Sequence, residues 1–206
     1  TDRDKWASQW EALMAEPRVI PPTQINWDGQ TAAFLDQGLP SPQQLGLKDD
    51  PCPGRQTGGR KIAVSLLQSF FGGRGKTYQR DMSSPLSAAT ACSRLSPHIA
   101  HGCLSMREIT QAAYHFHHDL GEMEQATRPI TKGSLNSFIA RLHWHCHFIQ
   151  KFESEPEVEF DPFHSAFRGT RSTRPDDPLL LAYEEGRTGF PFIDACMRSL
   201  RETGWI

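Results

Sequence analysis

The chain's 206 residues are enough for one large domain or two small ones, and 37% hydrophobic content with 15 prolines and 16 glycines allows a core but predicts long irregular stretches. A formal charge of −2 excludes a broad basic field, so nucleic-acid binding has to come from a local patch or from sequence outside these residues. Five cysteines, at 52, 92, 103, 146 and 196 with no C-x-x-C spacing, argue against a disulfide framework or a compact zinc site and fit a reducing, cytoplasmic compartment. No stretch approaches a membrane span, and the start at Thr1 reads as cut or processed.

In chain order, "RDKWASQWEALMAE" (3–16) predicts a helix with Trp6, Trp10, Leu13 and Met14 on one face, stopped by Pro17. Residues 17–58, rich in Pro, Gly, Gln and Asp, read as a long connector with at most a short helix near 42–46. "RKIAVSLLQSFFGG" (60–73) predicts a second helix ended by two glycines, followed by a loop-rich stretch to 104. "SMREITQAAYHFHHDLG" (105–121) opens with a capping box between Ser105 and Glu108 and stops at Gly121. The strongest helix is "LNSFIARLHWHCHFIQKFE" (135–153), with Phe138, Leu142, Ile149 and Phe152 as its apolar stripe. After an irregular stretch, 177–186 and 190–204 predict two more helices. No useful strand alternation and no internal repeat occur, so the fold class is all-α and multi-helical.

Four stretches can carry chemistry. In "CSRLSPHIAHGCLS" (92–105), Ser93, Ser96 and the amides around Leu95 precede Pro97 at a helix first turn, which suits phosphate, although plain capping needs the same residues. In "RLHWHCHF" (141–148), His143 and His147 share a helix face at zinc-compatible spacing; no third ligand is implied, and solvated or core-edge histidines are the plainer alternative. "GGRGKTY" (72–78) lacks Walker spacing and reads as a basic turn complementing a helix C-terminus. "GRTGFPF" (186–192) is a tight turn leading into a helix whose Asp194 and Arg198, four apart, suit an ion pair worth a few tenths of a kcal/mol.

Together and in this order, Tyr78, "CSRLSPHIAHGCLSMRE" (92–108), "RLHWHCHF" (141–148) and "GRTGFPFIDACMRSLRETGW" (186–205) resemble the photolyase/cryptochrome family, whose flavin domain is all-α. The resemblance covers about residues 60–206, and its last motif is the most specific. It implies that 1–59 are a linker with an N-terminal helix, following a missing antenna domain that can hold an antenna pigment. It implies that 60–206 are the first part of a truncated FAD-binding domain. It further implies that Tyr78, Cys92, Ser93, Arg94, Leu95, Ser96 and His145 contact FAD, largely its phosphates, and that Trp144 and Arg141 line the cavity for a flipped pyrimidine dimer in UV-damaged DNA.

The implied activity is that of a deoxyribodipyrimidine photolyase, a carbon–carbon lyase driven by blue light; the alternative is a cryptochrome-like photoreceptor on the same scaffold without repair. Several positions depart from the family pattern. Cys92 stands for a Thr, His145 for an Arg, Arg141 for a Glu that accepts from the pyrimidine, Tyr183 for a Trp, and Thr173 for an outer Trp. As a fragment, the chain is expected to be inactive alone, to bind FAD weakly, and to self-associate through a half-pocket face around Phe190, Phe192, Trp205 and Ile206.

Overall fold

The computed structural model describes residues 3–26, 29, 38, 40–48, 51–170, 174 and 177–206. Nine α-helices and no strand occur among them: α1 (Arg3–Ala15), α2 (Arg60–Ser69), α3 (Tyr78–Asp81), α4 (Ala88–Ala91), α5 (Ser96–Ala100), α6 (Met106–Glu122), α7 (Lys132–Ser154), α8 (Pro178–Glu184) and α9 (Pro191–Thr203). No helix of the described residues is long and apolar enough to cross a membrane. The chain divides into two compact units. Unit 1 holds 1–18 with 57–171, and unit 2 holds 19–56 with 172–206.

Unit 1 contains the apolar core. Trp10 and Met14 of α1, Leu67 of α2, Ile109 and Leu120 of α6, and Leu135, Phe138 and Leu142 of α7 all contribute to it. Leu13, expected on the buried face of α1, is 49% exposed, because the helix docks through its Trp10–Met14 ridge. Beyond α2 the chain makes one wide π-type turn over Phe70–Arg74 rather than stopping at the glycines, and this turn drops Phe70 and Phe71 into the core. Phe70 then meets Tyr78 edge-on at 5.4 Å and Phe138 at 4.8 Å between ring centroids. Gly75 lies against this ring; a Cβ there would come within 2.6 Å of it.

The capping box of α6 forms in both directions. Ser105 Oγ accepts from the Glu108 amide at 3.1 Å, and Glu108 accepts from the Ser105 amide at 3.5 Å. The helix runs through Gly121 to Glu122, so that glycine is not its stop. α7 starts three residues before the expected position, where Thr131 Oγ1 accepts from the Ser134 amide at 3.1 Å. Ser134 Oγ donates to the Lys76 carbonyl at 3.0 Å and accepts from the Gln79 amide at 3.2 Å, which ties α3 to the first turn of α7. Of the expected stripe on α7, Phe138 and Leu142 are buried, whereas Ile149 and Phe152 are exposed at 53% and 43%. Residues 42–46 form hydrogen-bonded turns, not a helix.

Unit 2 is built differently. Its buried residues, among those described, are Gly186 and Asp194. Leu179, Phe190, Phe192 and Ile206 stay more than 60% exposed. What organises the unit is polar. Asp194 accepts from the Thr188 amide (2.8 Å), the Thr188 hydroxyl (2.6 Å) and the Gly189 amide (3.0 Å). Arg198 donates twice to the Gly186 carbonyl, at 3.0 and 2.8 Å. The expected i,i+4 pair is thus a clamp in which acid and base each bind the backbone of the turn. The Gly54 amide and the Cys52 thiol donate to the Glu202 carbonyl, seating 52–54 on the end of α9.

Two stability predictions follow from this contrast. Phe70→Ala should destabilise unit 1 by about 3–5 kcal/mol in chemical denaturation. Gly186 has φ +65, and a Cβ there would sit 2.7 Å from the Asp194 carbonyl oxygen. Gly186→Ala should therefore abolish the protection of the Thr188 and Gly189 amides in hydrogen exchange while leaving α7 protected.

Candidate flavin and nucleic-acid site

The loop between α4 and α5 carries most of the expected cofactor residues. Arg74, at the end of the π turn, reaches it with a half-buried guanidinium. That group donates to the Cys92 carbonyl, to the Ser93 carbonyl at 3.0 Å, and to the Leu66 carbonyl of α2 at 3.0 Å. One cation therefore complements the C-terminus of α2, as the basic-turn reading expected, and also pins the loop, which sequence spacing did not reveal.

Arg94 has φ +63, the left-handed region, which is unfavourable for a side chain by about 1–2 kcal/mol. The conformation is enforced from both sides: Arg74 holds the carbonyls of 92 and 93, and the Leu95 side chain is buried at 1% exposure. Leu95 follows in the right-handed region (φ −89, ψ −13). Successive residues of opposite hand turn their amides to one side and make an anion-binding concavity. Burial is the main cause that lowers the pKa of both Arg74 and Arg94, Cys92 acts in the opposite direction on both, and the Arg94 charge lowers Arg74 further. Two guanidinium groups, a run of amides and the hydroxyls of Ser93 and Ser96 suit a diphosphate. Burial pushes the Cys92 thiol up, so it stays protonated and is a weak donor where a Thr would be a better one.

Tyr78 is 7% exposed in the aromatic core, and its pKa is raised, first by burial and then by Cys92. The Arg141 guanidinium lies beside its hydroxyl and acts in the opposite direction. The same guanidinium stacks 4.5 Å above the Trp144 ring. The structure therefore brings Tyr78, Cys92, Arg141 and Trp144 into one neighbourhood.

Trp144 and His145 diverge. Trp144, 56% exposed, walls an open groove of about 510 Å³ with Tyr114, His117, Asn136 and His143. His145 faces a second groove of about 410 Å³ beside Trp6, Trp10 and Ile149. In the first groove the Tyr114 hydroxyl donates to Glu11 at 3.2 Å, and its pKa is pushed up to about 12 by burial and by that carboxylate. The His143–His147 pair is covered by α1. His143 stacks on Trp10 at 3.8 Å, donates from Nδ1 to the Ile139 carbonyl at 3.0 Å, and places Nε2 3.5 Å from Glu11; His147 meets Trp6 edge-on at 5.6 Å. Among the described residues no group of three or more His, Cys, Asp and Glu could hold a metal ion. Thr173 lies outside the described residues.

Comparison with known proteins points to a family. Residues 138–206 match the family model described as the FAD binding domain of DNA photolyase. Over that part of its length the chain is similar to the photolyase/cryptochrome family, and the relatives it matches are photolyases and cryptochromes. It is 27% identical over 198 residues to a deoxyribodipyrimidine photo-lyase of Halobacterium salinarum, covering 96% of this chain and 39% of that protein. It is 27% identical over 218 residues to a cryptochrome DASH of Natronomonas pharaonis, covering all of this chain and 43% of that protein. It is 30% identical over 173 residues to cryptochrome-2 of Gallus gallus, covering 82% and 28%. The chain thus spans well under half the length of these relatives.

The strained loop and the clamp generate two predictions. Arg94→Gly should raise thermal stability, by about 1 kcal/mol, while weakening anion binding, because strain and charge are removed together. Asp194 is held below its ordinary pKa of 3.8, chiefly by the Thr188 hydroxyl. A depressed carboxylate contributes its stabilisation above the unfolded value and loses it as pH falls through the folded one. Circular dichroism and the amide protection factors of the 186–190 turn, corrected for intrinsic exchange, should therefore be flat above pH 4 and change only in more acidic solution, and Asp194→Asn should remove that acid transition.

Proposed function

We propose that this chain contributes the first part of the flavin domain of a blue-light-driven DNA-repair protein acting on UV-induced pyrimidine dimers, with 1–59 leading into it. Support comes first from the match of 138–206 to the FAD binding domain of DNA photolyase, a span that contains Arg141, Trp144 and His145. In this reading the loop 92–96 holds the diphosphate of FAD through its amides, Ser93, Ser96 and Arg94, with Arg74 holding the loop in shape. When bound, FAD supplies the light-driven electron that splits the cyclobutane ring and returns afterwards. The exposed Trp144 ring stacks against a base extruded from UV-damaged DNA, compensating its lost neighbours. Asn136 and His117, on the same groove, offer hydrogen bonds to a base edge.

A specific observation favours a second reading, a cryptochrome-like photoreceptor without repair. Arg141 covers one face of Trp144 and can only donate, where a carboxylate would accept from the pyrimidine. One experiment separates the two. The flavin-loaded, reduced protein is irradiated with blue light over UV-damaged DNA and the surviving dimers are counted. The repair reading expects loss of dimers only in the light, and Trp144→Ala should slow that loss roughly tenfold through lost stacking. Unchanged dimers with fully flavin-loaded protein select the photoreceptor, and Arg141→Glu is then the variant expected to restore activity. The exposed Phe190, Phe192 and Ile206 also lead us to expect self-association, which a concentration-independent monomer in sedimentation would exclude.

A further inference from the structure

Away from the loop and from Trp144, unit 1 has a third cavity, of about 330 Å³, at the start of α7. Its lining is Lys76, Gln125, Arg128, Thr131, Lys132 and Gly133. Three cations thus converge from three separate segments: the turn before α3, the connection between α6 and α7, and the first residue of α7. No carboxylate lines the cavity among the described residues, and none of them pairs with Lys76, Arg128 or Lys132. Arg128 donates through one terminal nitrogen to the Met123 carbonyl at 2.9 Å, while its Nε is buried with no acceptor. A buried donor left without an acceptor is unfavourable by about 1–3 kcal/mol. Like charges gathered in a concavity repel, and both deficits disappear if an anion enters. The free amides at the start of the 23-residue α7 add their partial positive charge to the same place.

We infer that this cavity is a phosphate-binding site, distinct from the loop at 92–96 and independent of the flavin reading. Phosphate offers several acceptor oxygens at once, which matches the Arg128 Nε, two ammonium groups and the helix amides. The phosphate can belong to a DNA strand or to a small free phosphate compound, and the test separates these sources.

The test is a residue-resolved NMR titration of the whole chain with inorganic pyrophosphate and, separately, with a short single-stranded DNA. It is run on the wild type, Lys132→Glu and Lys76→Gln. A glutamate in the first turn complements the helix dipole, so Lys132→Glu removes the cation without threatening α7; circular dichroism verifies this, and Lys76→Gln carries the test if it fails. The expected result is saturable shifts at 131–133 and at Arg128, weakened roughly tenfold in each variant. Tighter binding of the oligonucleotide assigns the site to a strand phosphate, and tighter binding of pyrophosphate assigns it to a free phosphate; both support the site. Unmoved amides at 128–133 with both probes, shifts confined to 93–96, or equal affinity in wild type and variants would overturn it.

Discussion

The aromatic cluster of Phe70, Phe71, Tyr78, Phe116 and Phe138 is the constraint on which the rest of unit 1 depends. It joins the π turn, α3, α6 and α7 through ring contacts between 4.8 and 6.3 Å, with Phe71 stacked on Phe116 at 5.0 Å. Because Phe138 is fixed there, Arg141 and Trp144 are fixed one and two turns further along the same helix. Because Phe70 is fixed there, Arg74 emerges from the π turn in reach of the Cys92 and Ser93 carbonyls. The cluster thus sets both halves of the candidate site, the anion loop and the exposed tryptophan.

The two units solve the same problem of specifying a loop by opposite means. In unit 1 the loop 92–96 is held in a strained shape by burial of Leu95 and by one guanidinium, and its strain is tolerated because a large apolar core surrounds it. In unit 2 the turn 186–190 is held by Asp194 and Arg198 with almost no buried apolar area. Its stability is therefore electrostatic and responds to acid, whereas unit 1 responds mainly to loss of packing volume. Arg141 belongs to neither scheme. It is exposed, lies beside the Tyr78 hydroxyl and stacks on the Trp144 face.

The all-α class, the capping box of α6 and the helices on either side of the 186–190 turn were legible because each has a local cause: apolar period, Ser105 with Glu108, and Pro191 with Gly204. The start of α7 was not, because Lys132 and Gly133 carry no apolar period and Thr131 caps without a capping-box partner. Gly72 and Gly73 look like a stop, yet they lie inside the wide π turn, which is stabilised by burying Phe70 and Phe71, a tertiary effect. Ile149 and Phe152 have the right spacing for a core and still lie at the surface, since periodicity shows which face is apolar and not what covers it. At the candidate site, Tyr78, Arg94 and Trp144 were visible through motif order. Arg74 was not, because its role is bonding to backbone carbonyls of residues 18 and 19 positions away, and carbonyls leave no mark on a sequence. Asp194 and Arg198 suggested each other by spacing, while the structure turns both toward the backbone.

The central claim is that loop 92–96 of this chain recognises the diphosphate of FAD. Its most direct test compares FAD with riboflavin, which lacks phosphate, as ligands in a residue-resolved NMR titration, a method that tolerates weak affinity. FAD should move the amides of Ser93, Arg94, Leu95 and Ser96, and riboflavin should leave them in place. Equal shifts from both flavins at these amides, or FAD shifts that map elsewhere and leave 93–96 still, would contradict it.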